Sequence, residues 1–187
     1  ILTVVGALLT ALVVAREWER GTMEAMLASP MTRAELLLGK VIPYYGLGLA
    51  SFTLCLLATV LLFGVPLRGS LPVLYGITTL FLFGALGLGL SISAAAKNQF
   101  LASQVAINAA FLPSFMLSGF IYEIRSMPEW VQTITYAFPA RYYVSCLQTL
   151  FLSGDIGSVL RPNAFALAVI AAIFLFAITR NLKRKLD

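Results

Sequence analysis

The chain has 187 residues, 60% of them hydrophobic and 11% charged, with a net charge of +5, a mean hydropathy of +0.92 and no histidine. A soluble domain carries about 25% charged residues, so the composition excludes an ordinary water-soluble fold. The missing histidine excludes a histidine-based triad, the usual zinc site and an imidazole proton relay. Uncharged runs at 41–67, 69–96 and 98–122 each exceed the roughly 20 apolar residues needed to cross a bilayer, and shorter runs lie at 1–15 and 162–179. The expected fold is all-α: a polytopic helical membrane protein with five visible spans.

Residues 1–15 fall short of the hydrocarbon core at about 1.5 Å per residue and read as the truncated first span, the tail of a helix that begins upstream. With Ile1 at the start and no basic stretch before the apolar run, a signal peptide is a poor reading. Residues 16–40 hold four acids and four bases. Within them Met23, Met26, Leu27 and Pro30 recur at i, i+3, i+4 and i+7, so a short helix from Thr22 has one apolar face. Ser29-Pro30 ends it, and Thr32 with Glu35 forms a capping box for the next helix. Such a helix lies on lipid, or it docks its methionines into a groove on a cytoplasmic partner. Gly39-Lys40 is not a phosphate loop, because Ala34 and Val41 stand where a Walker motif needs glycine and Ser or Thr.

Spans follow at 41–63, 72–96 and 101–121. Pro43 and Pro113 would terminate or kink theirs. In the middle span Gly84, Gly87, Gly89 and Ser91 cluster, and Ala85 with Gly89 makes a small-xxx-small pair suited to close backbone approach. No charge lies deep in any span, which argues against a proton- or sodium-coupled carrier. Cys55 and Cys146 read as buried small residues, not a disulfide or metal pair. Gln104, Asn108, Phe111 and Phe115 recur at i, i+4, i+7 and i+11 and share one helix face. Amides there either bond between helices or orient a ligand in a translocation path.

Residues 122–161 are too charged and broken to cross. Ser126 and Glu129 would form a capping box around Met127-Pro128, starting a helix with Trp130, Ile134 and Phe138 on one side. Pro139 would open another. Both are expected to be short re-entrant helices in the outer leaflet, with Trp130, Tyr136, Tyr142 and Tyr143 at the interface. Residues 162–180 form the last span and 181–187 a tail. With residues 1–15 entering from outside, nine basic residues lie on the cytoplasmic side against four outside, as the positive-inside rule requires. Arg180, Lys183, Arg184 and Lys185 then meet anionic headgroups, and nucleic acid is not an expected partner.

Two segments carry a resemblance. REWERGTMEAMLASP at 16–30, followed by LLLGK at 36–40, resembles the cytoplasmic loop of the type-2 permeases of ATP-binding-cassette exporters. LSGFIYEIRSMPEWVQTITYAFPARYYV at 117–144 resembles that family's Ser-Gly…Met-Pro-x-Trp-x-Gln segment and the helix after it, although the family often has Asn-Pro where this chain has Phe138-Pro139. The resemblance implies one transmembrane permease domain over 1–187, the second span onward of a six-span half, in a bacterial inner membrane. It implies a coupling helix around Thr22 to Ala28, with Thr22, Met23, Met26 and Leu27 at the ATPase and Glu17, Glu19, Arg20 and Glu24 around them. It further implies a cytoplasmic ATPase subunit, a second permease as homodimer or heterodimer partner, and surrounding membrane lipid. The chain itself needs no cofactor, since ATP and Mg would sit on the ATPase. The expected function is export of a hydrophobic or amphipathic substrate: a drug, a lipid or a lipid-linked glycan. The alternatives are a passive channel or scaffold subunit, or an intramembrane enzyme using Glu123 and Glu129.

Overall fold

A computed structural model describes residues 2–21, 33–96 and 98–183 of the chain. Among them every regular element is helical. A π-turn at Val4–Leu8 leads into α1, Leu9–Glu19. Helix α2, Arg33–Leu57, runs into a second π-turn at Ala58–Leu62, and α3 covers Leu71–Ala96. Helix α4, Gln99–Ala106, continues through a third π-turn, Ile107–Phe111, into α5, Leu112–Met116. Two short helices follow, α6 at Glu129–Thr135 and α7 at Pro139–Leu152, before α8 at Gly157–Lys183. Among the described residues three stretches are long and apolar enough to cross a membrane: Leu38–Leu62, Leu71–Ala96 and Gly157–Ala177. With large apolar side chains such as Leu54, Leu62, Phe165 and Phe176 exposed on its outside, the molecule is built for lipid.

Helix α3 is the centre. Its apolar stretch is 61% buried, against 11% and 17% for the other two, and it packs on α1, α2, α4, α7 and α8. Small residues make this possible. A Cβ on Gly89 would lie 2.4 Å from the Ala7 carbonyl oxygen and 2.9 Å from its Cα, and one on Gly87 would lie 2.8 Å from Phe174 Cβ. Ala85 answers Gly6 in the same way, and Leu82 fills the notch at Gly48. The Ala85 and Gly89 pair therefore does serve a close crossing, that of α1 over α3.

Hydroxyl groups tie the bundle without charge. Tyr45 and Tyr75 bond across α2 and α3 to Thr79 and Thr53, each at 3.0 Å. Ser93 donates to the Ala11 carbonyl at 2.6 Å, and Thr78 meets the Tyr143 hydroxyl at 3.1 Å. At one end the backbone N–H of Ser70 donates to both Asp155 carboxylate oxygens, at 3.0 and 3.1 Å. There Gly69 N–H donates to the Leu150 carbonyl at 2.8 Å and Arg68 to that of Leu152 at 3.0 Å. Asp155 thus caps the N-terminus of α3 and locks the α2–α3 loop to the α7–α8 loop.

Several local expectations need correction. The Ser126 and Glu129 capping box does not form. Pro128 is the N-cap of α6, without a side-chain cap, and Ser126 closes a 3₁₀ turn at Ile124–Ser126. A proline two places after Ser126 keeps Met127 extended, at ψ 154°, so Met127 cannot take the first helical position. Pro43 lies inside α2 and does not end it, and Pro113 sits in the first turn of α5. Tyr143 is not interfacial: it is 5% exposed and stacks on Phe81 with ring centroids 4.2 Å apart. Cys55 is exposed, whereas Cys146 is buried.

The Gly89 crossing yields a stability test. Gly89→Ala forces α1 away from α3 and is expected to cost about 1–3 kcal/mol, read as a lowered midpoint of thermal unfolding in detergent. Gly46→Ala on α2, where nothing lies within 4 Å of the added methyl, serves as the control and should lower nothing.

Candidate functional site

Two places carry the residues singled out in the sequence, and they lie at different levels of the bundle. The first is the end where α1 stops and α2 and α4 begin. Glu17 forms an ion pair with Lys40 of α2, whose side chain is 10% exposed. Glu19, two residues on and so about 200° round the helix, accepts from the backbone N–H of Gln99 at 2.8 Å and from the Gln99 side-chain amide. Asn98 accepts from the N–H groups of Phe100 and Leu101, at 2.8 and 3.3 Å. Together Asn98 and Glu19 satisfy the first three N–H groups of α4. Arg20 is exposed, and α1 ends in Gly21 with φ +70°. Thr22, Met23, Glu24, Met26 and Leu27, with the Thr32 cap, lie outside the described residues.

The second place is a cavity of about 640 Å³ toward the opposite end. Its walls come from five directions: Leu2 before α1, Phe52 and Cys55 on α2, Phe81 on α3, Phe111, Ser114 and Phe115 on the α4–α5 run, and Tyr143 and Phe151 on α7. Among the described residues no charged side chain lines it; the polar groups are hydroxyls such as those of Thr59, Ser114 and Ser118, with the thiol of Cys55. All three π-turns adjoin it, through Thr3, Thr59 and Phe111. A π-turn inserts one residue into the helical repeat and re-aims the side chains beyond it, so that otherwise straight spans part around a space.

That insertion also sorts the four residues of the predicted shared face. Phe111 and Phe115 stack on each other, ring centroids 5.6 Å apart, and line the cavity. Gln104 and Asn108 are exposed and are not among its lining residues. A regular 3.6-residue repeat puts all four on one face, but the π-turn between Gln104 and Phe111 rotates the second pair away from the first. Glu123 and Glu129 are both exposed and are not part of the wall. Among the described residues no group of three His, Cys, Asp or Glu side chains is placed to hold a metal ion.

Sequence reasoning missed Lys40, Gln99, Phe52, Phe81 and Tyr143. Asn98 was the one legible signal, an Asn directly before an apolar helix. The partners of Glu17 and Glu19 come from distant segments and have no local signature.

Apolar helices with a lipid-like exterior, tied by hydroxyls around an aromatic cavity, define an integral, multi-pass helical membrane protein. The chain belongs to the ABC-2 type transporter family, whose sequence profile matches residues 1–152. It is 57% identical over 187 residues, all of the chain and 50% of the relative, to the protein of Escherichia coli (strain K12) named "Probable multidrug ABC transporter permease YbhS". From the same organism, "Probable multidrug ABC transporter permease YbhR" is 28% identical over 172 residues, 91% of the chain and 46% of the relative. "Inner membrane transport permease YhhJ" is 30% identical over 177 residues, 92% and 46%. The chain spans about half the length of these curated relatives. No solved structure matches it.

The cavity can be probed through Cys55, which lines it and is exposed. Ser114→Trp fills the opposite wall and is expected to slow alkylation of Cys55 by monobromobimane several-fold. Gln104→Trp, off the wall, should leave that rate unchanged, and Cys146 should react only after unfolding.

Proposed function

We propose that the chain is the greater part of the transmembrane domain of a permease subunit that exports hydrophobic or amphipathic substrates, driven by a separate ATPase of the ATP-binding-cassette type. The observation that carries this reading is the cavity. In a member of the ABC-2 type transporter family, a 640 Å³ space walled by aromatic rings and hydroxyls, with no charge, suits an apolar or amphipathic molecule and disfavours an ion. Relatives named as multidrug and transport permeases support it. Drug, lipid and lipid-linked glycan all fall within this class.

On this reading five spans cross the bacterial inner membrane, at 1–15, 41–63, 72–96, 101–121 and 162–180. Residues 16–40 and the 181–187 tail are cytoplasmic, and 122–161 form the outer re-entrant segment. The course of α7 supports the last point. Pro139 lies opposite Gly84, at the middle of α3, and Leu150 opposite Gly69, before its start, so the hairpin reaches half the depth of the central span and returns. The partners are the ATPase, which holds ATP and Mg, a second permease and membrane lipid. Gln104 and Asn108 support the second permease: two amides exposed on a span need a polar partner in a bilayer, and a path between two permeases provides one.

The coupling segment is tested by function. Met26→Asp with Leu27→Asp should abolish permease-dependent ATP hydrolysis in proteoliposomes holding the full permease and its ATPase, with insertion unaffected. Hydrolysis at the parent level would reject Thr22 to Ala28 as the docking helix, and a permease that never stimulates an ATPase would favour the channel or scaffold reading. The topology is tested by labelling in intact cells, with Cys55 and Cys146 replaced. An impermeant maleimide added outside should modify Ser153→Cys and spare Ser29→Cys. The opposite pattern would invert every loop.

A further inference from the structure

Arg141 is a charged residue that neither of the ties at the ends of the bundle uses. Pro139 opens α7 opposite Gly84, about 20 Å along α3 from its start at Leu71, and Arg141 follows two residues later. The residue is half-buried, and neutral groups hold it. Nη1 donates to the Gln132 carbonyl at 3.2 Å and to the Thr135 hydroxyl, and the guanidinium carbon lies 3.8 Å over the Tyr136 ring. Such partners orient an arginine and leave its charge in place. Among the described residues no carboxylate pairs with it: the ion pair there is Glu17 with Lys40, and Glu129, at the far end of α6, is exposed. A cation level with the middle of a spanning helix is among the most costly groups a bilayer protein carries, and where one occurs it serves a pathway or a ligand.

The cavity wall passes beside this group. Ala140, Tyr143 and Val144 line the cavity, while Arg141 itself does not. With Ala140 as its chain neighbour, the guanidinium lies on the order of 10 Å from the cavity's edge. A charge at about that distance, at an effective dielectric near 20, changes the affinity for a singly charged ligand roughly fifteen-fold. Salt does little to screen a partly buried group. Among the described residues the wall offers no charge to oppose it, and the N-terminus of α7, where Phe138 makes no side-chain cap, adds a field of the same sign. We propose that Arg141 sets the charge preference of the cavity from a distance, so that the permease takes amphipaths with an anionic group ahead of neutral ones and turns away permanent cations. Arg141 is then a specificity-determining residue that works through its field and not by contact. The proposal deepens the export reading above and rests on it.

The test measures how well charged and uncharged amphipaths shield Cys55, which lines the cavity, from monobromobimane. The full permease, with Cys55 as its single cysteine, sits in nanodiscs of zwitterionic lipid. The probes share one tail: dansylaminoundecanoic acid, its primary amide and the matching quaternary ammonium. In the parent the acid should protect at about a tenfold lower concentration than the amide, and the ammonium should protect least. Each probe is compared between variants, so its partitioning into lipid cancels. Arg141→Gln, which can still donate to the Gln132 carbonyl and the Thr135 hydroxyl, should bring the three probes within about twofold of one another. Arg141→Lys keeps the charge and should keep the parent's order. Tyr142→Phe removes the bond from the Tyr142 hydroxyl to the Tyr136 carbonyl, 2.9 Å, without changing charge. It too should keep the order, which separates loosening of the hairpin from loss of charge. At about 0.5 M salt the parent's preference should persist, whereas one set by the exposed Arg161 would collapse. An acid-first order that is absent from the parent, lost in salt, unchanged in Arg141→Gln, or lost equally in Arg141→Lys and Tyr142→Phe overturns the proposal and leaves the export reading standing. A parent whose Cys55 no probe protects overturns the cavity as a substrate site, and the export reading and the proposal fall together.

Discussion

Everything in this fold depends on how closely α3 can be approached. In lipid, apolar side chains gain little by meeting one another instead of acyl chains, so helices associate where their backbones pack tightly and where polar groups pair. Helix α3 supplies the first at Gly87, against Phe174 of α8, and at Gly89, against Ala7. It supplies the second at Thr78, Thr79 and Ser93, whose hydroxyls reach Tyr143, Tyr45 and the Ala11 carbonyl. Interhelical bonds of this kind are worth about 0.6 to 2 kcal/mol each, so no single one holds the bundle. The glycines matter more, because an added Cβ would move a whole helix and weaken every bond along it.

The two ends of the bundle are fastened in different ways. At one end Asp155, Arg68 and Gly69 tie loop to loop, largely through backbone groups. At the other, Glu17, Lys40, Glu19 and Gln99 tie helix to helix through carboxylates. The first arrangement fixes the mouths of the connections and leaves the helices free to lean. The second joins the end of α1 to the first turns of α2 and α4. Between the ends lie the π-turns and the cavity.

The membrane class, the three long spans and the small-residue crossing at Ala85 and Gly89 were legible because each stems from local composition: long uncharged runs, and small residues four apart. The family was legible because 16–30 and 117–144 hold unusual residue combinations that composition alone does not produce. The cavity was only half legible. Phe111 and Phe115 stood out by spacing, but the π-turn that turns them away from Gln104 and Asn108 packs against the Val4–Leu8 turn, a distant contact that no local pattern records. Tyr143 looked interfacial because tyrosines often are. Its burial comes from Thr78, on another helix 65 residues away. The failed cap at Ser126 has a different source, since the Met127-Pro128 pair contained the information and the rule for residues before proline outweighed the capping pattern.

The chemistry of the wall bears on how such a cavity must work. With rings from Phe52, Phe81, Phe111 and Phe151 and hydroxyls from Thr59 and Ser118, binding draws on surface contact and has no ionic anchor. On the export reading, affinity depends on fit and on water displaced, so ligands of suitable size would each be held modestly. A wall of this kind cannot release its ligand by titrating or exchanging a charge. Release requires the surface itself to be divided, by moving one group of aromatic rings away from the other. The rings on α2 and those on the α4–α5 run are the two groups whose helices are held at their far ends by Glu17 and Glu19.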